Sequence, residues 1–373
     1  MNTFRVPYPV VLVLLGLSVG LFPTPYVVLT PALVLVVFLP PLLFAGAWGL
    51  PIDHLRRNWV PIAVLATAGV AVGIVASFAV VRFGGGLDAR VALLFAAIVA
   101  ATDPVAVLAL FRSMHVDRDL STVVEGESLF NDGTGVVAFR TLLAGVMTGG
   151  VIEPGTVAVS FVLLTLGGAA IGLAGGYALR PVLRLAKLHP YLYLGASVVI
   201  AYGIYDLAEL LHVSGIIAVL CCGLVLAHSA RSLPESQRVS DLSDRFWEGL
   251  ALLANIALFA MLGRSANLGA LVAAWPATGW AILAVVVGRA ATVYGLAPVC
   301  RVLGSPLPAR WQHVIAVGGL RGALSTALVL SLPIDAPQRE LLTAMVFAVV
   351  IVTLVVQGIC VQWVLPQSEK AMG

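Results

Sequence analysis

The sequence contains few charged residues. Charged side chains make up 10% of the 373 residues, and hydrophobic residues make up 60%, whereas a soluble domain carries roughly 25% charged residues. This shortage excludes a soluble globular enzyme or binding domain, so we predict an all-α membrane protein that crosses the bilayer many times. The net charge of +3 indicates no nucleic-acid partner, because the excess of basic residues in cytoplasmic loops produces such a value.

Cysteine and histidine are also scarce. The four cysteines are not spaced as metal ligands, and the six histidines form no HxxxH or similar grouping. We therefore interpret the cysteines as packing residues and expect no cofactor. A membrane hydrolase would need a nucleophile and a base at one depth, and Ser128 has Asp132 near it but no histidine at mid-span.

Long apolar runs dominate the rest of the chain. Roughly 20 apolar residues suffice to cross a bilayer as a helix, and about twelve runs approach or exceed that length. Only His212 separates the seventh predicted span, 190–211, from the eighth, 213–229. The predicted spans cover 6–22, 28–49, 59–82, 89–112, 119–147, 155–179, 190–211, 213–229, 244–264, 272–300, 308–332 and 340–365.

Basic residues are distributed unevenly between the connections. Fourteen of the 21 Lys and Arg residues lie in the N-terminal segment, the even-numbered connections and the C-terminal segment, and four lie in the odd-numbered connections. Since cytoplasmic loops carry the excess of positive charge, we predict that both termini face the cytoplasm in a cell inner membrane. We expect one membrane domain over 1–366, followed by a short cytoplasmic tail over 367–373.

Three spans carry an ionisable residue near their middle: Asp103 in the fourth, Asp132 in the fifth and Arg321 in the eleventh. An unpaired charge at that depth costs at least ~2.5 kcal/mol. Mutual neutralisation in one cluster lowers this cost, so we expect the three spans to meet at the bilayer midplane.

The fifth span has a polar first half. Ser128 and Asp132 are four residues apart and share one helix face, and Glu127 and Asn131 form a second such pair about 100° round the axis. Oxygen ligands of this kind suit a small, hard cation, and a carboxylate can hold a proton instead.

Helix-breaking residues accompany two of the midplane charges. Pro104 directly follows Asp103, and proline disfavours helix at the residue before it. Gly318, Gly319 and Gly322 surround Arg321 in the eleventh span. Paired interrupted helices in the two halves of a membrane chain indicate an inverted-repeat transporter.

The motifs resemble a known family. Ala101–Val107 (ATDPVAV) and Glu125–Gly133 (EGESLFNDG) are similar to the NhaP-type sodium/proton antiporters of the monovalent cation:proton antiporter family, which are related to animal sodium/hydrogen exchangers. Three further stretches agree in the same order along the chain: Pro40–Phe44 (PPLLF), Ser214–Ala218 (SGIIA) and Gly318–Ala323 (GGLRGA).

The resemblance implies an arrangement of helices. Core helices would cover about 59–147 and 272–365, and interface helices about 6–49 and 155–264. The fourth and eleventh spans would be unwound and would cross each other. The resemblance also implies a homodimer.

The resemblance assigns a carrier and its ligands. Asp132 corresponds to the carboxylate that carries the ion and the proton, and Ser128 and the backbone of Thr102 correspond to further Na+ ligands. This chain departs from the family at Ala45, since an acidic residue often follows the PPLLF motif there. The departure removes a group that would bind the ion or hold water.

The resemblance assigns supporting residues as well. Asp103 and Asn131 correspond to residues that stabilise the broken helix. Asp103 either binds the cation directly or interacts with the exposed backbone ends of the fourth span, and we favour the second alternative. Glu127 corresponds to the acid that pairs with Arg321, and we favour a static ion pair over a relay.

The resemblance implies a secondary transporter rather than an enzyme. It would exchange a monovalent cation, Na+ or Li+, for H+ by alternating access, and so serve sodium transport and pH homeostasis. A neutral Asn131 leaves one carrier carboxylate, which favours electroneutral 1:1 exchange. Two alternatives stay open: K+/H+ exchange by the same mechanism, and a non-transporting membrane sensor of the same fold.

Overall fold

The computed structural model describes residues 8–20, 29–114, 116–148, 153–186, 189–231 and 237–369, so Arg5 and the last four residues of the predicted tail lie outside the described residues. Over the described ranges the chain forms helices and contains no β-strand. Three π-helical segments, Leu33–Phe38, Val80–Gly84 and Thr353–Gln357, adjoin α-helices. The α-helices are α1 (Tyr8–Gly20), α2 (Leu39–Gly49), α3 (Ile52–Arg57), α4 (Trp59–Ala66), α5 (Ala68–Ala79), α6 (Ala89–Ile98), α7 (Val105–Met114), α8 (Arg118–Met147), α9 (Pro154–Ala186), α10 (Pro190–Leu210), α11 (Gly215–Arg231), α12 (Gln237–Ser265), α13 (Leu268–Ala273), α14 (Trp275–Val302), α15 (Ala309–Val317), α16 (Ala323–Leu330), α17 (Arg339–Val352) and α18 (Gly358–Glu369).

Each of the twelve predicted spans corresponds to one of these helices or to a series of consecutive helical segments. Six described segments are long and apolar enough to cross a membrane by themselves, and shorter apolar helices account for most of the rest. The short turn between the seventh and eighth spans contains His212 in the left-handed region (φ 58°). The predicted all-α fold of about twelve spans is confirmed.

Two spans are broken where the sequence predicts it. In the fourth span, α6 ends at Ile98 and α7 begins at Val105. In the eleventh, α15 ends at Val317 and α16 begins at Ala323. The backbone N–H of Asp103 donates to the carbonyl of Leu320 at 2.9 Å, so the two breaks meet and the predicted crossing of the spans is confirmed.

The helices pack in two groups that meet at the broken spans. In one group α1 packs on α12, and α11 packs on α2, α9 and α10. In the other, α14 packs on α5 and α17, and α8 packs on α4 and α6. Helix α8 also contacts α9 and α11 of the first group, so the helix that carries the polar motif lies between the groups.

Glycines bring neighbouring backbones together in the first group. A Cβ at Gly172 on α9 would overlap the carbonyl of Ala218 on α11, and a Cβ at Gly16 on α1 would overlap the carbonyl of Ala260 on α12. Such small residues let helices in a bilayer approach closely, where van der Waals contact is the main attraction between them.

We predict opposite effects of the same substitution at two glycines. Gly172→Ala should destabilise the protein by roughly 1–3 kcal/mol, because the added methyl group overpacks the α9–α11 contact. On α10, a Cβ added at Gly203 would have no atom within 4 Å. Gly203→Ala should therefore be neutral or stabilising, because alanine favours helix more than glycine does. Thermal unfolding of the two purified variants in detergent tests this, and an equal loss of stability would contradict the close contact.

Candidate functional site

The polar face of α8 borders a cavity of about 540 Å³. Glu125, Ser128 and Asp132 all line it, because spacings of three and four residues place them on one side of a helix. Thr102 and Asp103 of the broken fourth span line the same cavity. The structure therefore brings the predicted carrier and its predicted ligands to one place.

The cavity reaches the end of the molecule that the sequence predicts to be cytoplasmic. Its lining includes Arg112 at the end of α7 and Glu248 on α12, which form an ion pair of 3.0 Å with both side chains more than two-thirds exposed. Arg231 and Asp244 also line it and lie 3.5 Å apart. Asp132 also lines the cavity and is partly exposed, so the same space borders an exposed, charged rim and the mid-span carboxylate.

Thr102 is held by two side chains of α8. The hydroxyl of Ser128 donates to the Thr102 carbonyl. The Asn131 amide accepts from the Thr102 backbone N–H at 3.2 Å and donates to the Thr102 hydroxyl at 2.7 Å. All three residues are buried, and these bonds satisfy backbone groups that the interrupted helix leaves unpaired.

Asp103 lies at the start of two half-helices. Its carboxylate accepts from the backbone N–H of Val105 at 3.0 Å, and the N–H of Ala323 interacts with it as well. Gly322 packs so closely against it that a Cβ there would overlap the carboxylate. A helix N-terminus favours negative charge, so the Asp103 carboxylate lies where backbone N–H groups at both breaks can stabilise it.

The predicted pairing of Glu127 with Arg321 is wrong. Glu127 binds Arg289 of α14 through two hydrogen bonds of 2.8 and 2.9 Å, and both side chains are buried. Arg321 instead donates to the backbone carbonyls of Val99 and Gly319. The reason is that interrupted helices leave carbonyl groups without intrahelical donors, and the Arg321 guanidinium satisfies two of them.

Two functional candidates were not found from the sequence. Arg289 is visible there as a charge within the tenth span, but nothing in the pattern names its partner. Thr353 accepts a hydrogen bond from the Arg321 backbone N–H at 3.1 Å, and a single threonine in an apolar run gives no signal.

Ala45 lines the cavity, and its methyl side chain contributes no oxygen ligand there.

Comparisons with known proteins find similar sequences along almost the whole chain. A profile described as "Sodium/hydrogen exchanger, transmembrane" matches residues 1–367. Similar curated proteins include the low-affinity Na+/H+ antiporter NhaS1 of Synechocystis, 35% identical over 97% of this chain and 69% of its own. The Na+/H+ antiporter NhaH of Halobacillus aidingensis is 35% identical over 98% of this chain and 93% of its own.

A solved structure supports the fold. The sodium proton antiporter MjNhaP1 of Methanocaldococcus jannaschii superposes with a TM-score of 0.73, covering 95% of this chain and 93% of its own at 22% identity. At that identity the likeness concerns the fold alone, and it confirms the predicted antiporter fold with two broken, crossing helices.

We predict that the stability of the site depends on the Glu127–Arg289 pair. Arg289→Gln should destabilise the protein by roughly 3–5 kcal/mol, because it leaves a buried carboxylate without its partner. Adding Glu127→Gln to that variant should recover part of the loss. The same double-mutant cycle with Arg321→Gln in place of Arg289→Gln serves as the control, and unfolding free energies measure both. A larger coupling to Arg321 than to Arg289 would contradict the observed pairing.

Proposed function

Since the chain belongs to the sodium/hydrogen exchanger family, whose members are secondary transporters and not enzymes, we propose that it exchanges Na+ for H+ across the cell inner membrane. The relatives are named Na+/H+ antiporters, which supports Na+ as the cation; Li+ is the second substrate that we expect. The transported ions are substrates, and the proposal includes no cofactor.

The observation that carries the proposal is the cavity lined by Asp132, Ser128 and Thr102. These residues offer a carboxylate, a hydroxyl and, in the proposed site, the Thr102 backbone carbonyl. A carboxylate flanked by neutral oxygens can bind a hard cation or a proton, and the two compete for the same oxygen atoms. Each ion therefore displaces the other, which is the requirement for exchange.

Alternating access follows from the position of the site between the two groups of helices. We infer that the core helices, about 59–147 and 272–365, move against the interface helices, about 6–49 and 155–264. The cavity opens at one end, and at the other end of α8 an ion pair of 2.9 Å joins Arg140 to Glu209 on α10. A loaded, neutralised Asp132 crosses the apolar barrier more easily than a charged one.

The charges around Asp132 support exchange of one cation for one proton. Glu127 is neutralised by Arg289, Asn131 carries no charge, and Asp103 interacts with two half-helix ends. Glu125 also lines the cavity, but it lies nearer the predicted cytoplasmic end of α8, outside the proposed ion site. We therefore assign the alternation between a proton and a cation to Asp132 alone, and the cycle then transfers no net charge.

We also propose an orientation in the membrane and a dimeric assembly for the whole molecule. Both termini would face the cytoplasm, the side on which the cavity opens. Two copies would associate through the interface helices. Helix α9 is the contact surface that we propose within this group, because large apolar side chains such as Leu163 and Leu166 are more than 60% exposed on it.

We predict that Asp132→Asn abolishes cation-driven proton flux in proteoliposomes, because an amide can neither hold the proton nor supply charge to the cation. Asp335→Asn serves as the matched control, since Asp335 is exposed in the turn before α17 and its loss should leave flux unchanged. Flux is measured with Na+, Li+ and K+ in turn. A response to K+ alone would contradict Na+ as the substrate, and activity with none of the three would favour the sensor.

We predict that exchange is independent of membrane voltage. When the inside-to-outside concentration ratio of Na+ equals that of H+, net flux through a 1:1 exchanger should be zero. This null point should not move when a potassium–valinomycin system imposes a membrane potential. The reason is that one positive charge moves in each direction. A null point that shifts with the imposed potential would contradict electroneutral exchange.

A further inference from the structure

Thr353 occupies an unusual position in the twelfth span. It is the first residue of the π-helical segment Thr353–Gln357, which interrupts the α-helical pattern between α17 and α18. Its side chain is 1% exposed. Short π-helical segments inside helices often occur at functional sites, and this one places a hydroxyl group beside the break in the eleventh span.

The Thr353 hydroxyl fixes one end of a peptide group in that break. It accepts from the backbone N–H of Arg321 at 3.1 Å and donates to the carbonyl of Val350 at 3.2 Å. The N–H of Arg321 and the carbonyl of Leu320 belong to the same planar peptide group. Fixing the N–H therefore also fixes the direction of the Leu320 carbonyl.

The Leu320 carbonyl passes this orientation to the fourth span. It accepts from the backbone N–H of Asp103 at 2.9 Å, and that N–H shares a planar peptide group with the carbonyl of Thr102. The Thr102 carbonyl in turn accepts from the hydroxyl of Ser128. An uninterrupted series of hydrogen bonds and two rigid peptide groups thus connects Thr353 with the site on α8.

We propose that Thr353 is a positioning residue for cation binding, a role that rests on the proposed function. Through the peptide groups 320–321 and 102–103, it holds the Thr102 carbonyl in the direction in which that oxygen binds the cation. Hydrogen bonds in series also polarise one another, so the Thr353 hydroxyl increases the negative charge that the Thr102 carbonyl presents.

The two broken spans support this role by a parallel arrangement. In the fourth span, Asn131 of the next span binds the backbone N–H of Thr102. In the eleventh span, Thr353 of the next span binds the backbone N–H of Arg321. In each break a backbone N–H is thus held by a polar side chain from the span that follows it, and in this respect Thr353 is the counterpart of Asn131.

The test compares Thr353→Val, which removes the hydroxyl at nearly equal volume, with Thr353→Ser, which retains it. Sodium-driven proton flux gives the maximal rate and the KM for Na+ of each variant. We expect Thr353→Val to raise KM about fivefold, the effect of one lost hydrogen bond, and Thr353→Ser to stay within about twofold of the wild type. The Na+/Li+ preference should change in the valine variant alone.

A matched control separates positioning from stability. Thr122 is similarly buried on α8, and its hydroxyl donates to the Arg118 carbonyl of its own helix. Thr122→Val should leave the KM for Na+ unchanged. If Thr353→Val does not yield folded protein, Thr353→Ala and Thr353→Ser make the same comparison.

The outcomes distinguish this inference from the proposed function. An unchanged KM for Na+ in folded Thr353→Val or Thr353→Ala, with wild-type flux present and Asp132→Asn inactive, overturns the role of Thr353 alone. An equal rise in KM for Thr353→Ser also overturns it, since the serine hydroxyl should restore the bond. Absence of cation-driven flux in the wild type overturns the proposed function itself.

Discussion

The hydrogen bond from the Asp103 backbone to the Leu320 carbonyl is the contact on which the rest of the structure depends. An interrupted helix in a bilayer leaves N–H and carbonyl groups that neither lipid nor its own helix can satisfy. Here two interrupted helices satisfy each other where they cross. The remaining groups take partners from neighbouring spans: Asn131 for the N–H of Thr102, Ser128 for its carbonyl and Thr353 for the N–H of Arg321. The backbone oxygen of the proposed cation site is thereby held on several sides.

The charged groups next to Asp132 each have a fixed partner, which leaves Asp132 for the proposed exchange of ions. Glu127 and Arg289 form a bidentate pair, and Arg321 is committed to carbonyl groups of the two breaks. Asp103 interacts with the starts of two half-helices. Because each of these groups has a fixed electrostatic partner, a change of occupancy at Asp132 is the simplest change of charge that the site permits. The proposed electroneutral cycle follows from this arrangement.

Much of the architecture could be predicted from the sequence, because bilayer thickness fixes the length of an apolar helix and because Pro104 and the glycines around Arg321 disrupt helix. The partner of Glu127 could not be predicted in the same way. Arg289 and Arg321 are both arginines within spans, and depth alone does not tell which one faces α8. Thr353 gave no sequence signal, since its role depends on a π-helical segment that turns an ordinary threonine toward another span. Partners across spans are set by helix rotation, which a single sequence does not specify.

The central claim is that a proton and a cation occupy the Asp132 carboxylate in turn. The most direct measurement is proton release when Na+ is added to the purified protein in weakly buffered detergent solution, at a pH where the free site is protonated. The account predicts release of one proton for each Na+ bound by the wild type, and no release from Asp132→Asn. Sodium binding without proton release in the wild type, or equal release from Asp132→Asn, would contradict it.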